Sequence, residues 1–132
     1  MRLVRVFLVA IGTISVIIGL AFIIWPAEGA ALADLELTSP TAVIEVHGFY
    51  GGQLVGLGVA ILVGAWKQRF VVPALVLIAA SLGGTAVGRL SGVIAEGTFP
   101  PIVAGLLLAE VATAASAALF LRYELTRAPA ST

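Results

Sequence analysis

The chain has 132 residues, 61% of them hydrophobic and 11% charged, with seven Lys and Arg balanced by seven Asp and Glu. Charge at under half the roughly 25% of a soluble domain, with a mean hydropathy of +1.16, excludes a soluble globular protein, and the zero net charge leaves no basic stripe for nucleic-acid phosphates. There is no cysteine, so disulfides, thiolate metal sites, covalent c-type haem and iron–sulfur ligation by cysteine are excluded; with His47 as the single histidine, no metal and no cofactor are expected.

A membrane span needs about 20 apolar residues, and four stretches qualify. The first, Val6–Trp25, follows Arg2 and Arg5. This basic start resembles a signal peptide, but the apolar run exceeds the roughly 7–15 residues of one, so a retained helix is expected. Pro26 to Ala42 is an acidic loop with Glu28, Asp34 and Glu36. The second span, Val43–Trp66, carries Gly48, Gly52 and Gly56 at four-residue spacing, with Gly51 and Gly58 beside them. Lys67-Gln68-Arg69 is a basic turn, short enough to make spans two and three antiparallel neighbours. The third span, Phe70–Leu90, has Gly84 and Gly88, continued by Gly92 at the same spacing. Ser91 to Phe99, with Glu96 and Gly97, reads as a loop before Pro100-Pro101. The fourth span, Pro100–Leu121, is rich in alanine, and the basic tail Arg122–Thr132 reads as frayed.

These elements predict an all-α fold: an integral membrane four-helix bundle forming a single four-span domain over residues 1–132. Small residues let helices approach closely in lipid, so the glycine faces of spans two and three are expected to touch. Arg2, Arg5, Lys67, Arg69, Arg122 and Arg127 all fall on one side. By the positive-inside rule both termini and the middle turn are cytoplasmic.

Glu45, Arg89 and Glu110 stand out, because a charge at the bilayer centre costs about 2.5–3.5 kcal/mol on insertion scales. From a rise of about 1.5 Å per residue, Glu45, His47, Tyr50 and Arg89 form a layer near the outer interface, and Ser15, Gln53, Ser81 and Glu110 a layer near the midplane. At about 100° per residue, Glu45 shares a face with Gly48, Gly52 and Gly56 and is expected to pair with Arg89. Glu110 then has no cation at its level and is expected to be a neutral acid hydrogen-bonded to Gln53 or a ligand. The plain alternatives are an inert Glu45–Arg89 clamp and an interfacial polar anchor at His47. Trp25, Trp66, Phe99 and Tyr123 sit at span ends as interfacial aromatics do.

The stretch Glu45-Val46-His47-Gly48-Phe49-Tyr50-Gly51-Gly52 followed by Leu54 and Gly58, then Gly88-Arg89, Gly92 and Glu96-Gly97, with Glu110 in the last span, resembles the bacterial membrane family catalogued as domain of unknown function 4345. The resemblance covers roughly Val6 to Leu121. Members of that family often have arginine where this chain has His47. The resemblance implies four helices in the inner (plasma) membrane of a bacterium and one site containing Glu45, Tyr50, Arg89 and Glu110. It implies no activity, substrate or cofactor.

Four functions compete. The first is binding of a hydrophobic small molecule or lipid, in a pocket floored by Glu110 and Gln53, rimmed by Glu45 and Arg89, with Tyr50 and His47 close by. The second is a membrane-embedded enzyme, an isomerase, cyclase or epoxide-opening enzyme on a lipidic substrate. In that reading Glu110 is the catalytic acid and Glu45 the base or electrostatic stabiliser. The third is a small proton-coupled transporter working as a dimer, a homo-oligomer with Glu110 as coupling carboxylate. The fourth is an accessory subunit of a membrane complex. In every reading the first partner is the lipid bilayer, and nucleic acid is not one.

Overall fold

Helix boundaries follow from local chemistry. The computed structural model describes residues 2–127, and the described chain is helical with no strand. Helix α1 spans Arg2–Ile24. Pro26 opens α2, Pro26–Leu32, at the one helical position where a missing N–H costs nothing. Asp34, at a left-handed φ of 58°, turns the chain out of it. Ser39 Oγ accepts the Ala42 N–H at 3.1 Å, capping α3, Pro40–Glu45, which also begins on proline.

The backbone then widens. Val46–Gly52 is a π-helix, in which each N–H reaches the carbonyl five residues back. The segment leads into α4, Gln53–Trp66, whose Gln53 N–H bonds the Gly48 carbonyl. After the short 3₁₀ turn Gln68–Phe70 comes α5, Val71–Glu96. Gly97 ends α5 at a φ of 63°, a conformation glycine takes without a Cβ clash. Helix α6 runs Pro101–Arg127.

Four stretches are long and apolar enough to cross a membrane: Arg2–Ile24, Pro40–Trp66, Gln68–Glu96 and Pro101–Arg127. The chain is a multi-pass membrane protein. Large apolar side chains such as Leu3, Ile94 and Leu108 stand exposed, as suits a surface solvated by hydrocarbon rather than water.

Two spans differ from expectation in a way that matters. The third does not stop at Leu90 but runs to Glu96. Ser91 Oγ donates to the Gly88 carbonyl at 2.7 Å, so its hydroxyl is satisfied inside the helix instead of breaking it. The fourth continues past Leu121 to Arg127; the rest of the tail expected to fray lies outside the described residues.

The helices form two compact units, Met1–Trp66 and Lys67–Thr132. In the first, α1 packs on the second span through Val4, Leu8, Gly12 and Gly19. The opposing residues are Val46, Gly51, Gly58, Ile61 and Ala65. A Cβ on Gly58 would lie 2.6 Å from the Gly12 carbonyl oxygen, and one on Gly19 would lie 2.7 Å from that of Gly51. The tight glycines are therefore the seven-residue pairs Gly12/Gly19 and Gly51/Gly58, two helical turns apart on each helix. A Cβ on Gly48, Gly56, Gly84, Gly88 or Gly92 would meet nothing within 4 Å, so the four-residue glycine ladders are not what packs each unit. In the second unit, α5 presents Val71, Ala74, Leu75, Ile78 and Ala86 to α6, whose buried residues are Glu110 and Ala117.

Candidate functional site

Arg89 continues the inward stripe of α5, one turn beyond Ala86, and Glu110 lies on the inward stripe of α6, two turns before Ala117. Arg89 sits seven residues before the end of its helix and Glu110 nine residues after the start of its own, about 10 Å and about 14 Å from the Gly97–Pro100 turn. Side chains lean towards a helix N-terminus. Arg89 therefore leans away from the turn and Glu110 leans towards it, so the two converge. Arg89 Nε donates to Glu110 Oε1 at 2.7 Å, a short charge-assisted bond.

This pair corrects the expected partnership. Glu110 is not without a cation at its level: Arg89, in its own unit, engages it. Ending the third span at Leu90 puts Arg89 at the outer end of its helix, whereas α5 runs on to Glu96 and leaves Arg89 within it. Among the described residues, Glu45 has no ion-pair partner within its own unit. Glu110 is therefore not alone at its level.

Glu110 is the one buried charged residue among the described residues, at 9% exposure, whereas the Arg89 side chain keeps 30%. The bond is single-pronged. Glu110 Oε2 is buried and has no hydrogen-bond partner among the described residues, and Arg89 donates there through Nε alone. Glu124 Oε1 is also buried without a partner, but Glu124 belongs to no ion pair among the described residues.

Arg89 also lines a cleft of about 250 Å³ with Gly92, Val93, Glu96, Thr98, Pro100 and Val103. The sequence reads Gly92 to Thr98 as loop and Pro100 and Val103 as plain span, and so gives no cleft there. Its signal lay in Gly97 followed by Pro100-Pro101, a helix stop and a helix start that tie the end of α5 to the beginning of α6.

The other candidates lie in the first unit, around the π-helix. Phase counted at 100° per residue does not carry through Val46–Gly52, because each π turn holds an extra residue. Val46 and Gly51, five apart, are both buried. Glu45 and Gln53, expected in different layers, line one groove of about 360 Å³ with Ile44, Gly48 and Phe49. Tyr50 is not part of it; its ring lies against Phe22 of α1, centroids 5.3 Å apart and tilted by 39°. His47 is half-buried and does not line the groove either. No group of three or more His, Asp or Glu placed to hold a metal ion occurs among the described residues.

Comparison with known proteins adds one match. The model of a family described as a domain of unknown function (DUF4345) matches residues 3–121, a segment that contains Glu45, His47, Tyr50, Gln53, Arg89 and Glu110. No curated protein and no solved structure matches.

Proposed function

The chain belongs to the DUF4345 family, whose description carries no activity, and on that premise we propose that it binds a hydrophobic small molecule or lipid within the membrane. The observation that carries this reading is the Arg89–Glu110 pair, set among apolar helix faces and opening through Arg89 onto a cleft. Ligand sites are built this way, from an apolar cavity with few polar groups that fix orientation. An ion pair kept only to hold two helices together would not need a cleft beside it. At about 250 Å³ the cleft is smaller than the roughly 300–1,000 Å³ of a drug-sized pocket, and suits a headgroup with the first part of a chain. The groove at Glu45 and Gln53 is a second candidate surface for the same kind of molecule.

The proposal includes the setting: one four-span domain in a bacterial inner membrane, with both termini and Lys67-Gln68-Arg69 cytoplasmic. The positive-inside distribution of Lys and Arg supports the orientation, and the family resemblance supports the bacterial membrane.

Native mass spectrometry of protein released from its own membrane tests the reading. A small molecule or lipid bound in fixed stoichiometry to the wild-type chain, and lost from Gly92→Phe, is the expected result. Gly92 lines the cleft, and a Cβ there meets nothing within 4 Å, so the added side chain starts in open space beside the cleft. A chain that carries no bound molecule, or one equally retained by Gly92→Phe, contradicts the proposal.

A further inference from the structure

We propose that the basic end of the α5–α6 hairpin holds an anionic phospholipid by its headgroup. This site is separate from the cleft at Arg89 and does not rest on it. Phe70 lies 26 residues before Glu96, the last residue of α5, and Arg127 lies 26 residues after Pro101, the first of α6. Both are then about 39 Å from the Gly97–Pro100 turn, so the start of one helix and the end of the other share a level. That level gathers Lys67, Arg69 and Arg127, all exposed, with exposed Arg122 about 8 Å nearer the turn. Among the described residues, the only acidic side chain within two turns of this level on either helix is Glu124, and its Oε1 is buried. None of the four cations is in an ion pair among the described residues. The opposite end of the same hairpin carries Glu96 and no Lys or Arg except Arg89, which Glu110 engages.

Depth and chemistry select the ligand. The hydrocarbon core of a bilayer is about 30 Å thick, so a hairpin of about 39 Å carries its basic end past the core to the level of lipid phosphates, with Arg122 at the core boundary. Two rings hold the arginines there. The Arg69 guanidinium lies 4.7 Å from the Phe70 ring centroid, and that of Arg127 lies 4.3 Å from the Tyr123 ring centroid. Stacking uses the face of a guanidinium and leaves the N–H groups in its plane, which are the ones that pair with a phosphate fork to fork. Lys67 adds a point charge on a flexible stem. A phosphodiester whose headgroup carries no ammonium, such as phosphatidylglycerol, brings an unopposed negative charge to this rim. Phosphatidylcholine brings the same phosphate with a cation that the rim repels. The acyl chains have a surface as well, because Val76, Leu77 and Leu119 stand exposed just on the membrane side of the rim.

The test is native mass spectrometry of the full chain in detergent micelles, titrated with phosphatidylglycerol or with phosphatidylcholine of identical acyl chains. Phosphatidylglycerol should bind at least ten-fold more tightly, and its advantage should shrink as ammonium acetate is raised, because salt screens exposed charges. Each Lys or Arg near an anionic surface contributes about five-fold. The double variant Arg69→Gln/Arg127→Gln should therefore weaken phosphatidylglycerol binding at least five-fold, leave phosphatidylcholine binding unchanged and keep the detergent melting profile, since both side chains are exposed. Arg2→Gln/Arg5→Gln, which removes two cations from the first unit, should keep wild-type affinity, and so should Gly92→Phe at the other end of the hairpin. Equal affinity of the wild-type chain for the two lipids would overturn the proposal whatever the variants do. Displacement of phosphatidylglycerol by equimolar inorganic phosphate would overturn it too, and would make the rim a free-anion site. A loss in Arg2→Gln/Arg5→Gln as large as in the hairpin variant would overturn it by making binding a response to total charge. A loss in Gly92→Phe would overturn it while supporting the cleft as the lipid site.

Discussion

Arg89 and Glu110 meet across one helical hairpin, Nε 2.7 Å from Oε1, because their side chains lean towards each other from different distances below the same turn. The pair is asymmetric: Glu110 is buried, while the Arg89 side chain keeps 30% exposure. That asymmetry predicts unequal mutants. Arg89→Gln strands the buried carboxylate and should destabilise strongly, towards the about 3–5 kcal/mol of a broken buried pair. Glu110→Gln leaves a guanidinium with a path to polar surroundings, and should cost less. The double mutant should recover part of the larger loss. Thermal unfolding in detergent reads all three; strictly additive losses would mean the two residues are not coupled.

The glycines separate into two classes with different mutational outcomes. A Cβ at Gly58 meets Gly12 backbone at 2.6 Å, so Gly58→Ala should overpack the α1–α4 contact and cost about 1–3 kcal/mol. Gly56→Ala, two residues away with open space around it, should be neutral or gain up to about 1 kcal/mol from helix propensity. Melting temperatures of the two variants check this. Equal losses would show that Gly56 also packs closely.

The proposed orientation predicts a labelling pattern. Ala31 and Gln68 are both exposed, the first near the end of α2 and the second in the turn before α5. In intact cells a membrane-impermeant maleimide should modify Ala31→Cys and leave Gln68→Cys unmodified until the membrane is opened. The reverse pattern would invert the topology.

Much of the fold was legible in the residues, and the missing parts have physical causes. Apolar length alone located four spans, and Pro26, Pro40 and Pro101 mark helix starts as prolines do. The end of α5 was misread because Ser91, Gly92 and Glu96 look like loop, while in the helix the Ser91 hydroxyl closes on Gly88. That one boundary shifted the apparent depth of Arg89 and with it the choice of partner. The π-helix at Val46–Gly52 has no hydrophobic period of its own; only the cluster Gly48, Gly51 and Gly52 hinted at it. Counting at the α-helical period therefore put Glu45 and Gln53 in separate layers, although they line one groove. Polar residues of the candidate site could be picked out from their cost in a membrane. Their pairing could not, because it depends on helix ends and helix type to within one turn.

The central claim is that Glu110 holds Arg89, which lines a cleft at the end of α5. Solid-state NMR on protein in lipid bilayers tests it most directly, by dipolar recoupling between arginine ¹⁵Nε and glutamate ¹³Cδ. The chain has six arginines and six glutamates, so the Glu110→Gln and Arg89→Lys variants assign the signal. The account predicts a strong short-range coupling in the wild-type chain that disappears in both variants. A coupling that survives Glu110→Gln and disappears with Glu45→Gln would contradict it, and would give Arg89 to Glu45 instead.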